Sequence, residues 1–313
     1  MRVGGPQGPS TSLRGIATET STPPARGLRR RREDEFNAER RVYEPHRVGL
    51  PPLRSYFREL WRRREFAWEM ARTAMRAQHL DTNFGRVWLI LNPLLLAGVY
   101  FILVDILRRG HHRPAHLLEH LIACIFVYYF VSGSVRAGAK TVTKGGKLVL
   151  NTAFPRMLLP LSSVLEHFLR FLPTLVIFAI LIPITGLPVG WYTLTVIPLI
   201  LLFAGVAAGL SMFVAALQVY FRDLAQFLPY MLRIWLYLTP ILYFFNNVPQ
   251  KYKFVVIWLN PIGALMKGWS DALIVGRTPG IGIFAAGAGW AVGLLIIGSL
   301  FFMSRERDFA VRL

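Results

Sequence analysis

The sequence predicts an all-α, polytopic membrane protein, and three observations lead there. Of 313 residues, 54% are hydrophobic, and the mean hydropathy is +0.42. Several apolar runs approach twenty residues without a charge, the length that matches a hydrocarbon core of about 30 Å. None of these runs alternates polar with apolar residues as barrel strands do. In lipid the backbone must satisfy its own hydrogen bonds, so the spanning elements are helices.

The first fifty residues are rich in Gly, Pro, Ser and Thr, then in charge, with "RRRR" at 29–32. They contain no apolar h-region, so no cleaved secretory signal is expected. Residues 1–52 are expected to form a disordered Arg-rich cytosolic tail, because too little apolar surface offsets the chain entropy. Acidic residues follow the arginine run at once, so attraction to anionic headgroups is favoured over nucleic acid.

Residues 53–86 read as an amphipathic interface helix. Leu53, Tyr56, Phe57, Leu60 and Trp61 share one helical face, while arginines occupy much of the remaining surface. Six spans are expected at about 87–107, 117–135, 161–186, 193–220, 226–245 and 281–303. The fourth is rich in small residues, which suit close helix packing. The spans make 87–313 one transmembrane domain. With both ends cytosolic, 17 basic residues lie near the spans on the inside and seven on the outside. That bias favours inside termini.

Segment 246–280 has apolar pieces too short to span, divided by Asn260-Pro261. Such pieces are surface or re-entrant helices, and re-entrant backbone must rest on protein or a water-filled cavity.

The stretch "TKGGKLV" at 143–149 lacks the Ser or Thr of a phosphate-cradling loop, so ATP hydrolysis by that route is excluded. Acidic residues within or beside the spans are few: Asp105, Glu119, Glu166 and Asp223. A transferase using metal-bound diphosphate would gather more, so no enzyme, catalytic residue or metal site is expected. The single cysteine, Cys124, lies in an apolar run and reads as packing. Glu166 and Arg170 are at i, i+4 and read as a structural ion pair, with a proton relay as the alternative. In loop 136–157, Arg136, Lys140, Lys144 and Lys147 form one positive helical face ahead of an extended Phe154-Pro155-Arg156. That loop faces either lipid headgroups or a cytosolic partner. Arg222 and Asp223 read as a hydrated cytosolic turn. Arg233, about 10 Å inside the fifth span at 1.5 Å per residue, is an intramembrane charge and so a functional candidate.

Five stretches in order carry a family resemblance: "FGRVWLILNPLLL" (84–96), "GKLVLNTAFPRMLLPLSSV" (146–164), "FRDL" (221–224), "LTPILYFFNNVP" (238–249) and "LNPIGALMKGW" (259–269). Together they resemble the permease subunits of type-2 ABC exporters, in the polysaccharide branch that exports O-antigen, teichoic acid or galactan (the Wzm and TagG kind). Residues "QHLDTNFG" (78–85) depart from the family pattern, and the first fifty have no counterpart. The resemblance implies six spans, an interface helix and two re-entrant helices between spans five and six. It implies a homodimer in the bacterial plasma membrane, joined to two copies of a separate ABC ATPase that carry the ATP and magnesium. No cofactor is then expected in this chain.

It also implies a coupling helix at 136–157, so Arg136, Lys140, Lys144, Lys147, Phe154, Pro155 and Arg156 are expected to meet the ATPase. The substrate is expected to be a lipid-linked glycan. Its diphosphate would suit guanidinium forks, for which Arg72, Arg76 and Arg86 are the candidates at the entrance. Sugar C–H faces pack on aromatic rings. Tyr100, Phe101, Tyr128, Tyr129, Tyr237, Tyr243 and Phe244, with Arg233, are the candidates for the channel wall. Aromatics also pack or form interfacial belts, which is the ordinary role for any one of them. An ABC permease for small lipids or drugs, or an enzyme acting on polyprenyl-linked sugars, are the competing readings.

Overall fold

The computed structural model describes residues 52–77, 87–107, 115–152 and 154–312. The tail expected at 1–52 therefore lies outside the described residues except for Pro52. Every regular element among the described residues is helical.

The interface segment forms two helices, α1 (Leu53–Arg62) and α2 (Arg64–Ala77), with a turn at Arg63. Residues 78–86 lie outside the described residues. Then come α3 (Trp88–Leu107), α4 (Leu117–Lys144), the short α5 (Gly146–Asn151) and α6 (Leu158–Thr185). After a 3₁₀ turn at Trp191–Thr195 follow α7 (Val196–Tyr220) and α8 (Leu224–Leu238). The segment after α8 contains α9 (Gln250–Phe254) and α10 (Gly263–Ser270), each running into a π-type turn. The chain closes with α11 (Ile281–Arg305) and α12 (Phe309–Arg312).

Four helical stretches are long and apolar enough to cross a bilayer: α4, α6, α7 with its preceding turn, and α11 with its continuation. The most apolar window of α4 is 83% buried, against 17% for α6. α4 is thus the central post, with α3, α6, α7 and α8 against it. On α6, Leu172, Val176, Ile180 and Ile184 recur every fourth residue on an exposed apolar ridge. An i, i+4 ridge of that kind suits acyl chains rather than water.

α7 and α11 touch backbone to backbone. A Cβ on Gly298 would lie 2.1 Å from the Gly209 carbonyl oxygen, and one on Gly209 would lie 2.4 Å from the Leu294 carbonyl carbon. Small residues permit this approach, and the gain is dispersion over the whole contact.

The helix expected at 226–245 is shorter than its apolar run. α8 ends at Leu238, about 22 Å long at 1.5 Å per residue. Thr239 is extended (φ −94°, ψ 144°), as the residue before a proline prefers. Pro240 also lacks the N–H that would continue the ladder.

α10 then docks in the bundle through Trp269, which packs against Phe171 and Phe203 and donates from Nε1 to the Ala123 carbonyl at 3.1 Å. Asn260 accepts from Trp235 Nε1 at 2.8 Å and donates to Thr239 Oγ1 at 3.0 Å. The Asn-Pro break is therefore tied to the end of α8.

Candidate functional site

α8 divides lengthwise. Leu228, Leu232 and Leu236 are buried, while Phe227, Tyr230, Met231, Ile234 and Tyr237 are exposed on the opposite face. Arg233 lies on the exposed face, between Tyr230 three residues before it and Tyr237 four residues after. It points away from the protomer core, not into it.

The phenol oxygens of Tyr237 and Tyr100 are 3.5 Å apart, with the rings edge to face at 6.4 Å. Arg233 is within electrostatic reach of Tyr100 and Tyr129. Tyr128 is buried beside them, packed edge-on against Trp235, and donates to the Leu232 carbonyl. α3, α4 and α8 thus bring exposed Arg233 and Tyr237, half-buried Tyr129 and, behind them, buried Tyr100 into one aromatic, hydroxyl-bearing surface, with Arg136 a second cation in reach of Tyr129.

The other channel candidates separate. Phe101 packs partly buried against the core. Phe244 stacks on His120 at 4.3 Å, near the opposite end of α4 from α5. Tyr243 donates to the Leu238 carbonyl at 3.3 Å and lines a cavity of about 580 Å³ with Tyr237, Trp235, Tyr252, Asn247 and Asn260. Tyr237 belongs to both the aromatic surface and this cavity.

At the α5 end, the sequence-predicted coupling residues serve two arrangements. Arg136, Lys140 and Lys144 line a groove between α2, α4 and α6, together with Glu166 and Arg170. Glu166 and Arg170 form the expected ion pair. Phe154, Pro155 and Arg156 are instead knotted into the fold. Phe154 packs on Phe66 of α2 at 5.3 Å, Pro155 is buried, and the Arg156 backbone N–H donates to Glu306 Oε1 at 2.7 Å. The Arg156 guanidinium also donates to the Glu306 carbonyl. Of the entrance arginines, Arg72 and Arg76 are exposed on α2, with Arg72 3.9 Å from Glu69. Arg86 and the side chains of Asp105 and Lys147 lie outside what is described.

Two structural nodes were missed in the sequence. Glu306 receives a hydrogen bond from Tyr56 at 2.6 Å as well as those from Arg156. Burial next to the Glu306 carboxylate drives the Tyr56 phenol far above its usual value of 10.0, so it stays a donor. Asp271, buried in α10's continuation, pairs with Lys267 and with Arg277 at 2.8 Å. The i, i+4 spacing of Lys267 and Asp271 was a readable signal for the second. Nothing local in the sequence links Glu306 to residues 150 and 250 positions away. Among the described residues, no group of three or more His, Cys, Asp or Glu could hold a metal ion.

No protein-family model matches the chain. Among curated proteins, it is 27% identical over 256 residues to the O-antigen export system permease protein RfbA of Myxococcus xanthus. That match covers 81% of this chain and 97% of the relative. The chain is similar to O-antigen export permeases. Two RfbA permeases of Klebsiella pneumoniae are 25% and 27% identical over 203 residues, covering 64% of this chain and 77% of each relative. The Myxococcus match extends over nearly the whole permease relative, so the likeness is not confined to one short motif.

Proposed function

We propose that the chain is the membrane-spanning permease subunit of an ATP-driven ABC exporter, carrying a lipid-linked polysaccharide of the O-antigen class. The observation that carries this reading is the similarity to three O-antigen export permeases over 64–81% of the chain. The fold supports it through four long apolar helices and the outward-facing apolar ridge of α6. In this reading α3 and α8 complete six spans, and the segment 246–280 forms the re-entrant pair. Two copies of the chain meet in the plasma membrane with both termini cytosolic. Two ATPase subunits, holding ATP and magnesium, dock at the α5 end.

The exposed face of α8 suits the passage of a long glycan. Tyr129 and Tyr237 offer ring faces for sugar C–H groups and phenols for hydroxyls, with Tyr100 buried behind Tyr237 as its support, so that contacts spread along the path rather than gather into one deep site. Passage requires binding weak enough to leave. Arg233 would be hydrated or glycan-bound on that face. Arg72, Arg76 and Arg86 are the residues we assign to the lipid diphosphate at the entrance. When the ATPases close, motion would enter through α5 and the knotted 154–156 segment and move the spans as rigid bodies.

Depleting the chain should leave lipid-linked glycan accumulating on the cytosolic face while synthesis continues. An unchanged distribution of lipid-linked glycan across the membrane after depletion would sink the assignment.

A further inference from the structure

The groove between α2, the end of α4 and the first half of α6 has a volume of about 640 Å³. Arg136, Lys140 and Lys144, spaced by four, lie on one face of α4, and Arg170 adds a fourth cation from α6. Glu166 is the one carboxylate among its lining residues; it is paired with Arg170 and also lies in electrostatic reach of Lys144. Among the described residues no carboxylate comes within the 4.0 Å ion-pair distance of Arg136, Lys140 or Lys144. Arg170 also keeps a buried Nε–H with no acceptor among the described residues. A buried donor without an acceptor is unfavourable, but that Nε is closed off from the groove; four cations against one paired carboxylate leave the groove itself short of counter-charges.

Its depth identifies what supplies them. α4 has 28 residues and is about 42 Å long at 1.5 Å per residue, against a hydrocarbon core of about 30 Å. Placed at its C-terminal end, the surplus of about 12 Å, or about eight residues, carries Lys140 and Lys144 into the headgroup layer with Arg136 at its border. The α2 wall is Met70 and Ala74, on an amphipathic helix suited to the membrane interface. A groove that is cationic along one side, apolar along the other and set at headgroup depth fits a phosphate attached to a lipid. Its volume also falls within the range of sites that take small organic ligands.

We propose that this groove is a binding site for the phosphate headgroup of an anionic membrane phospholipid. The phosphate oxygens meet Lys140, Lys144 and Arg170, and the glycerol and first methylenes lie on Met70 and Ala74. The bound lipid wedges the interface helix against the bundle. Its walls are α2, α4 and α6, whereas the aromatic surface rests on α3, α4 and α8; the two share α4, where Arg136 at the groove's edge is in reach of Tyr129, and the proposed phosphate contacts at Lys140, Lys144 and Arg170 lie outside the aromatic surface.

The test uses the full chain, purified and delipidated in detergent. It is titrated with dioleoyl phosphatidylglycerol, with dioleoyl phosphatidylcholine, or with inorganic phosphate. Retained lipid is counted by native mass spectrometry, and the thermal unfolding midpoint is followed. Phosphatidylglycerol should be retained and raise the midpoint, while the other two should not. Removing two cations with K140Q/K144Q should weaken retention roughly 25-fold, at about fivefold per charge at a membrane surface. R54Q/R58Q, which removes the same charge from exposed α1, should weaken it several-fold less. Filling the groove with M70W should abolish retention without changing charge.

Equal losses in the two double variants would reduce the effect to surface attraction and overturn the site. An equal midpoint shift with inorganic phosphate would overturn the lipid as its source. Retention unchanged in M70W would do the same for the groove. Export of glycan by a chain that retains no phospholipid would leave the transport reading standing and remove this one alone.

Discussion

Asn260 illustrates how one side chain can organise a break in a helix run. Its Oδ1 accepts from Trp235 Nε1 and from the Ile262 backbone N–H, and its Nδ2 donates to Thr239 Oγ1. Asn260→Ala would strand the Trp235 indole N–H and the Ile262 N–H, while Thr239 keeps its bond to the Trp235 carbonyl, and a buried group left unsatisfied costs about 1–3 kcal/mol. The unfolding midpoint in detergent should fall accordingly, and Trp235 fluorescence should shift as its indole N–H loses its acceptor. An unchanged midpoint would mean that water replaces the amide without loss. Tyr56 makes a prediction with a sign. Its folded pKa lies above the usual 10.0, first because of burial and then because of Glu306. Below pH 10 both folded and unfolded states hold the proton, and the stabilisation is fully present. Above it the unfolded chain loses the proton more readily, so stability drains as pH rises. Wild type should therefore lose more stability than Tyr56→Phe between pH 9 and 11, and parallel profiles for the two would refute this.

At the scale of elements, the crossing of α7 and α11 is the sharpest case. Gly298 sits against the Gly209 carbonyl, whereas a Cβ on Gly293, five residues earlier on the same helix, would meet nothing within 4 Å. Gly298→Ala should push the helices apart and cost about 1–3 kcal/mol, as overpacking does. Gly293→Ala should be neutral or stabilise by up to about 1 kcal/mol through helix propensity. Similar unfolding midpoints for the two variants would show that the helices do not touch at Gly298. This crossing also marks how far the sequence could be read. The small residues of 193–220 signalled close packing, but which helix they meet depends on three-dimensional arrangement and leaves no local pattern. The long apolar runs were legible because length and hydropathy are local. The end of α8 at Leu238 was partly legible, since Thr239-Pro240 is a breaker inside an unbroken apolar run. The direction of Arg233 was not legible until Leu228, Leu232 and Leu236 were seen to take the buried face.

Across the whole molecule, the end that carries α5 is joined by a short chain of polar contacts. Tyr56 on α1 and the Arg156 backbone both donate to the Glu306 carboxylate, just past α11. Two residues on, Asp308 accepts from Tyr220 at the end of α7 at 2.7 Å, and Arg312 lies over the Tyr220 ring at 4.4 Å. Arg222 donates to the Arg312 carbonyl at 3.3 Å, bringing in the turn before α8. One short C-terminal stretch thus holds the interface helix, the Phe154-Pro155-Arg156 segment and the α7–α8 turn together. The amino-acid sequence separates these parts by up to 250 positions, so the knot could not be read from any single window. If the 154–156 segment passes motion from an ATPase into the spans, its value lies in being rigid. Glu306→Ala removes the acceptor of both Tyr56 and the Arg156 N–H and should loosen that segment without touching the aromatic surface. Reconstituted with its ATPase, the variant should keep hydrolysing ATP while export falls severalfold, which separates coupling from assembly. Glu306→Gln keeps one carbonyl acceptor and should recover part of the loss. Hydrolysis and export falling in strict proportion in both variants would mean that Glu306 supports docking of the ATPase, not transmission of its motion.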